Sequence, residues 1–223
     1  MQRLLNEYYS ARAPEYETVY SKPERQSDLT QLQQWLRSQV SARTVLEIGC
    51  GTGYWTAIAA QGATRIVAVD NSSDCLNVAR KKRLGSKVKF LLEDAYRLPH
   101  FREEFDVGMA HFWLSHVRAK DRHEFLLYFG RQIRAKGTIL MIDNRFVEGS
   151  SSPITREDLE GNTYQRRRLR SGGEFEIIKN FFSGAQLKSI FKPISDRVHV
   201  LELRYFWAVA APMRRGDPKM KPA

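Results

Sequence analysis

Cysteine is scarce in this sequence, with two residues in 223, and neither Cys50 nor Cys75 has a partner at metal-ligand or redox-motif spacing. A reduced, cytoplasmic setting is the expectation. Long apolar runs are also missing: no window approaches a membrane span, and the first twenty residues mix Arg, Glu and Tyr without the apolar core of a signal peptide. No membrane contact is expected. The five histidines are scattered without ligand spacing, which predicts no metal.

Acids are in deficit, 25 against 36 Lys and Arg, giving a net charge of +11 and a pI of 9.8. That balance favours an anionic partner: a small anionic molecule, RNA or an acidic carrier protein. It is equally what a plain solvated basic surface would show. The length suits one domain with a sizeable core.

The stretch 44–56 organises the chain. Residues 44–48 form a short β-branched and apolar run that feeds Gly49, Gly51 and Gly53, after which helix-compatible residues follow. Strand, glycine turn and helix start let backbone approach a ligand closely. A dinucleotide fingerprint fails, because the position three after Gly51 is Tyr54. What stands instead is acid-x-Gly-x-Gly-x-Gly with Glu47 as the acid. A second acid, Asp70, closes the next apolar run at 65–69, and Asp94-Ala95 follows the run 88–92.

These landmarks resemble, in order and spacing, those of the class I S-adenosylmethionine-dependent methyltransferases, over roughly residues 6–211. The resemblance implies an α/β fold: a doubly wound, Rossmann-like, seven-stranded, mostly parallel sheet ending in an antiparallel hairpin. The residue pattern agrees with it. Apolar runs at 44–48, 65–69, 88–92, 105–110 and 137–142 alternate with helical stretches at 26–39, 54–61, 72–83 and 120–134, the order of right-handed parallel crossovers. The last two runs, 194–201 and 203–211, are separated by so little that they must pair as a hairpin. Residues 145–183 are too long and too rich in Gly, Ser and Arg for a simple connection. Gly172-Gly173 divides 164–169 from 174–178, which predicts an inserted hairpin on the substrate side, ahead of a last helix at 184–191. The organisation expected is one methyltransferase domain at 1–211, with an N-terminal cap to about residue 40, the insert at about 145–183, and a disordered tail at 212–223. The tyrosine-rich preamble resembles the segment that folds over the cofactor in methyltransferases of the ubiquinone and menaquinone biosynthesis type, which would set Tyr8 and Tyr16 against the cofactor.

The resemblance also assigns roles. Gly49, Cys50, Gly51 and Gly53 would carry the backbone against the methionine and ribose portions of S-adenosylmethionine. Asp70, with Asn71 beside it, would accept from the ribose hydroxyls, two donors matching two carboxylate oxygens. Asp94 and Ala95 would bind the adenine, and Glu47 would orient the loop. His111, which follows the fourth strand, would face the transferred methyl group together with Tyr16. His111, His116, Asp143 and Tyr164 are candidates for a base, histidine being the side chain that titrates near neutrality. Arg145, Tyr164, Arg166 and Arg168 are candidates to hold a substrate carboxylate or phosphate, since a guanidinium binds such groups bidentately. Strand alternation would aim only part of the arginine run at the pocket.

Subtypes are narrowed by further absences. Ala110-His111-Phe112-Trp113 lacks the Pro-Pro-aromatic of amino-methylating DNA enzymes, and neither cysteine suits cytosine C5 chemistry. The expected function is methyl transfer from S-adenosylmethionine to an O or N atom of a small anionic metabolite. RNA modification, and cofactor binding without catalysis, are the alternatives.

Overall fold

The computed structural model describes residues 2–101, 104–170 and 172–214. The chain opens with α1 (Gln2–Arg12), a 3₁₀ helix at Ala13–Tyr20, and α2 (Gln26–Val40). It then runs β1 (Thr44–Ile48), α3 (Tyr54–Ala59), β2 (Arg65–Asp70), α4 (Ser73–Arg80), β3 (Val88–Leu92), β4 (Phe105–Met109), α5 (Arg122–Gly130) and β5 (Ile133–Asn144). An insert of β6 (Arg156–Glu157), β7 (Thr163–Arg168) and β8 (Glu174–Ile178) precedes α6 (Gly184–Phe191), β9 (His199–Glu202) and β10 (Phe206–Pro212).

The main sheet has seven strands in the order β3-β2-β1-β4-β5-β10-β9. The first five pair in parallel, while β10 is antiparallel to both β5 and β9. This is the Rossmann-like, mostly parallel sheet with an antiparallel ending that the alternating runs imply. The order reverses beside β1, where β2 lies on one side and β4 on the other, so the loops after β1 and β4 diverge and leave a crevice.

Helices cover both faces of β1, which explains its nearly unbroken apolar run. Val45 joins a core with Leu32 and Leu36 of α2 and Trp55 and Ile58 of α3. Leu46 and Ile48 point the other way, into a core with Phe125 and Phe129 of α5 and Leu187 and Phe191 of α6. Local signals fix the helix starts. Ser72 Oγ accepts from the Cys75 amide at the head of α4, and Ser183 with Gln186 forms a capping box at the head of α6.

Several boundaries differ from the sequence expectation. The helix drawn at 120–134 ends at Gly130, and β5 begins at Ile133 rather than at residue 137. Ile133 pairs with Phe105 and Thr138 with Val107, so β5 carries an irregularity there, with Lys136 at φ +68°. Gly137 is packed so closely that a Cβ would lie 2.7 Å from the Asp106 carbonyl. The run at 194–201 starts as a turn, with the Ile194 and Ser195 amides bonded to Phe191 O. The insert is a three-stranded antiparallel sheet, because the two-residue β6, too short to be legible in sequence, pairs with β7. Of the tail, Pro212 ends β10, Met213 is buried and Arg214 pairs with Asp196, while 215–223 lie outside the described residues. No helix among the described residues is long and apolar enough to cross a membrane.

Phe191, fully buried between α6 and the sheet, gives a direct test of this packing. Phe191→Ala should lower unfolding free energy by about 3–5 kcal/mol, measured by urea titration, and a loss under about 1 kcal/mol would contradict the assigned core.

Candidate active site

The crevice beside β1 is shaped by the glycine turn. Gly49 and Gly51 adopt φ of +61° and +54°, in the left-handed region that disfavours side chains. A Cβ on Gly49 would lie 2.5 Å from the Trp113 ring, whereas a Cβ on Gly51 would meet nothing within 4 Å. A side chain at position 49 is therefore excluded by the Trp113 ring, and Gly51 presents bare backbone to open space. Gly53, also expected at the ligand, instead faces Ala79 of α4 at 3.0 Å.

Asp70 holds the turn in place. One carboxylate oxygen accepts from the Gly51 amide at 2.8 Å and the other from the Ser72 amide at 2.9 Å. Each oxygen keeps a lone pair for a further donor. Burial raises the Asp70 pKa, opposed by the backbone amides that bond it. Glu47 lies beneath the turn rather than in the cavity. It is 2 % exposed, accepts from Thr56 Oγ1 at 2.6 Å, and is pushed up to about 8 by burial, with the Asp70 charge adding to the effect. Cys50 and Ala95 are likewise buried in the apolar clusters and do not line the cavity. Asp94 does line it, its Oδ1 accepting from the Tyr96 amide at 2.9 Å.

Gly49, Gly51, Asp70, Asn71, Asp94, His111, His116 and Tyr16 thus come together around one cavity, joined by Leu5, Asn6, Tyr9, Cys75, Tyr96, Phe112 and Trp113. The second group was missed, and only the aromatic run 111–113 and the tyrosines of the preamble carried a signal. Tyr8, expected nearby, is buried against Phe175 and receives the Arg12 guanidinium on its hydroxyl at 2.6 Å. Three buried polar atoms around the cavity have no partner among the described residues: Asn6 Oδ1, His111 Nε2 and Trp113 Nε1. One acceptor and two donors on residues that line the cavity are thus unpaired, which is uncommon for buried polar groups and fits a site for a polar ligand.

The two histidines have defined tautomers. The Ile142 amide donates to His111 Nδ1 at 3.1 Å, so the His111 proton sits on Nε2. Its pKa is lowered to about 3 by burial. His111 is a neutral donor, which corrects its assignment as a base. His116 Nδ1 lies 2.6 Å from the Ile178 carbonyl and must donate to it, leaving Nε2 to accept from the Tyr9 hydroxyl at 2.8 Å. Burial, then the nearby Lys179 charge, lowers its pKa to about 3.

A second cavity of about 260 Å³ abuts the first, and Tyr9, Tyr16, Phe112 and His116 line both. Its walls include Arg12, Lys22, Arg25, Arg167 and Lys179, and among the described residues no carboxylate lines it. Lys179 is buried in an ion pair with Asp143 at 2.6 Å and donates to Ser115 Oγ at 2.7 Å. Asp143 is therefore engaged and is not a free base.

The substrate arginines need correction. Arg166 is exposed and pairs with Glu174 at 3.2 Å, and Arg168 is exposed as well. Tyr164 donates to Asp158 at 2.9 Å beneath the Arg156 guanidinium. Arg145 donates to the Leu203 carbonyl at 2.6 Å. None of the four lines the cavity; the alternate residues Gln165 and Arg167 do. Alternation holds, but with the opposite parity, because Tyr164 pairs with Ile178 and Arg167 with Phe175.

Comparisons with known proteins point one way. A family described as "Methyltransferase domain" matches residues 45–137. The chain is 40% identical over 75 residues to a cypemycin N-terminal methyltransferase from a Streptomyces species, covering 33% of this chain and 30% of that protein. It is 27% identical over 174 residues to a malonyl-(acyl-carrier protein) O-methyltransferase of Bacillus cereus, covering 75% and 60%. The chain thus spans 60% or less of the length of these curated relatives. A solved structure of DhpI in complex with SAH superposes with a TM-score of 0.77 at 26% identity, covering 96% of this chain and 97% of that one. A complex of DhpI with SAM and HEP has the same TM-score at 24% identity, covering 95% and 98%.

The raised Glu47 pKa has a pH signature. Its carboxyl ionises near 4.3 in an unfolded chain and near 8 here. Folding stability is therefore full below about pH 4.3 and is lost as pH rises through 8. Glu47→Gln should remove that loss, so its stability relative to the native protein should grow by up to roughly 5 kcal/mol across the window. Denaturation at pH 5 and pH 9 measures it, and a difference independent of pH would show that Glu47 ionises normally.

Proposed function

We propose that this chain, which belongs to the class I S-adenosylmethionine-dependent methyltransferases, moves the methyl group of that cofactor to an acceptor atom of a small anionic metabolite. The observation that carries the reading is the pair of abutting cavities: one built on the glycine turn and Asp70, the other lined by cations, sharing Tyr9, Tyr16, Phe112 and His116.

The cofactor supplies an activated methyl group on a sulfonium. In this reading Asp70 accepts from the ribose hydroxyls with its remaining lone pairs, and the backbone at Gly49 and Gly51 lies along the ligand. Asp94 accepts from the adenine amino group. His111 Nε2–H and Trp113 Nε1–H, both without a protein partner, donate to polar groups of the ligand. Tyr16 and Phe112 keep water from the junction. Alignment of acceptor and methyl group then supplies the rate, an effect worth up to about 7–11 kcal/mol in well-oriented systems.

The cap favours a small acceptor over RNA. Glu17 accepts from Thr52 Oγ1 of the glycine turn and from Lys82, each at 2.7 Å, while Tyr9 bonds His116 and Arg170 pairs with Glu15. These ties draw the N-terminal segment over both cavities. Relatives named for malonyl attached to acyl-carrier protein support an acidic acceptor, and a carrier-bound acid is the variant of this reading to test beside free acids. A protein that only stored the cofactor would have no use for a second cavity opening onto its methyl group.

Calorimetry with S-adenosylmethionine and S-adenosylhomocysteine, and NAD as control, tests the premise: micromolar binding of both with NAD silent is expected. Asp70→Ala should remain folded and bind at least tenfold more weakly, since hydrogen bonds to charged groups contribute about 1.5–3 kcal/mol each. Unchanged affinity in that variant would place the ribose elsewhere.

A further inference from the structure

The second cavity contains an electrostatic imbalance. Arg12, Lys22, Arg25 and Arg167 line it, and none has a carboxylate within ion-pair distance among the described residues. Their donors go to neutral groups instead: Arg12 to Tyr8, Lys22 and Arg25 to the Ser150 carbonyl, and Arg167 to Ser152 Oγ at 2.8 Å and Gln165 at 2.6 Å. Arg167 Nε is a buried donor with no partner. Burial lowers both Lys22 and Arg25; Arg25 and Arg167 add to the lowering of Lys22 and Arg167 to that of Arg25, while the Glu24 carboxylate outside the cavity opposes it in both and offsets the repulsion on Lys22 only in part. Holding like charges together in a partly dry cleft is costly unless an anion completes the set.

Among the described residues, the same cavity lacks a free proton acceptor. Both ring nitrogens of His116 are engaged, His111 offers only a donor, and Asp143 belongs to Lys179. The Tyr9 and Tyr16 hydroxyls are raised by burial and stay protonated. An acceptor that arrived with a proton on its nucleophilic atom would find nothing to take it. An ammonium would in addition be repelled by the cations.

Resting on the reading above, we propose that the methyl acceptor is an already ionised acid oxygen of a small dianion, held by Arg12, Lys22, Arg25 and Arg167, and that no protein base takes part. A lone pair of the acceptor oxygen forms the new O–C bond as the C–S bond breaks, and the pair from that bond stays on sulfur. No proton moves. The sulfonium's positive charge and one negative charge of the acceptor are cancelled, and a monoanionic methyl ester leaves a cavity that held it as part of a dianion. Loss of that charge weakens its hold on the four cations and favours release.

Calorimetry on the full chain, with and without S-adenosylhomocysteine, separates this inference from the cofactor reading. Inorganic phosphate or malonate should bind at least tenfold more tightly than acetate and raise the melting temperature, with the preferred probe distinguishing a phosphate-type acid from a dicarboxylic one. Arg167→Met should weaken that binding at least tenfold while leaving S-adenosylhomocysteine affinity unchanged, and Lys188→Met, an exposed control on α6, should alter neither. Incubation with ¹³C-methyl-labelled cofactor and a panel of small dicarboxylates and phosphomonoesters should place the label on an acid oxygen, read by ¹³C NMR. Equal, weak binding of all three anions by a protein that still binds S-adenosylhomocysteine would overturn the dianion site. Label on nitrogen or on an alcohol oxygen would overturn the ionised acceptor. Anion binding as expected without any S-adenosylhomocysteine binding would leave the dianion site standing and remove the methyl-transfer reading beneath it, the ionised acceptor with it.

Discussion

The carboxylate of Asp70 reaches from the end of β2 to the Gly51 amide at the end of β1, and the shape of the whole crevice follows from that bond. It holds the glycine turn away from the sheet at the point where β2 and β4 part. With the turn so fixed, Gly49 packs on Trp113, Gly51 faces open space, and α3 can begin at Tyr54. A carboxylate in this position is expensive because it is largely desolvated, and amides from both neighbouring segments offset the cost. Glu47, on the neighbouring strand β1, lies near it without such amides and keeps a proton instead. Two acids on adjacent strands thus take opposite states, one suited to accept from a ligand and the other to support the loop from the dry side.

The N-terminal segment turns this crevice into two chambers. Its aromatic residues pack on one another and on the loop after β4, with Tyr9 against Tyr16 and His116, and Tyr20 stacked on Tyr54 at 3.8 Å. From the opposite side the inserted sheet delivers Arg167, Lys179 and the Ile178 carbonyl that orients His116. The second cavity therefore has no wall from the main sheet's own crossovers apart from residues at or just beyond the ends of β4, β5 and β10. In the proposed reading the sheet scaffold holds the cofactor and the added segments select the acceptor.

The sheet was legible because it rests on local patterns; of the residues expected at the cofactor, Gly49, Gly51, Asp70, Asn71 and Asp94 meet at one cavity, while Cys50, Gly53 and Ala95 do not line it. Apolar runs of strand length, three glycines after β1 and acids closing β1 and β2 each have a physical meaning that needs no distant partner. The failures lie where distant partners decide. Whether Arg166 or Arg167 enters the cavity depends on which face of β7 meets the cap, and a slip of one residue reverses it. Whether His111 is a base depends on the Ile142 amide, thirty-one residues away.

The sequence by itself determined the α/β class, the parallel pairing, the antiparallel ending and a glycine turn able to approach a ligand, because periodicity and backbone freedom are properties of neighbouring residues. Only the tertiary structure decided the protonation of Glu47, the tautomers of His111 and His116, and the set of cations around the second cavity. Arg12, Lys22, Arg25 and Arg167 are spread over more than 150 residues of chain, and no local pattern marks them as a group. Burial and charge act through space, so their effects become readable only when the fold has brought the groups together.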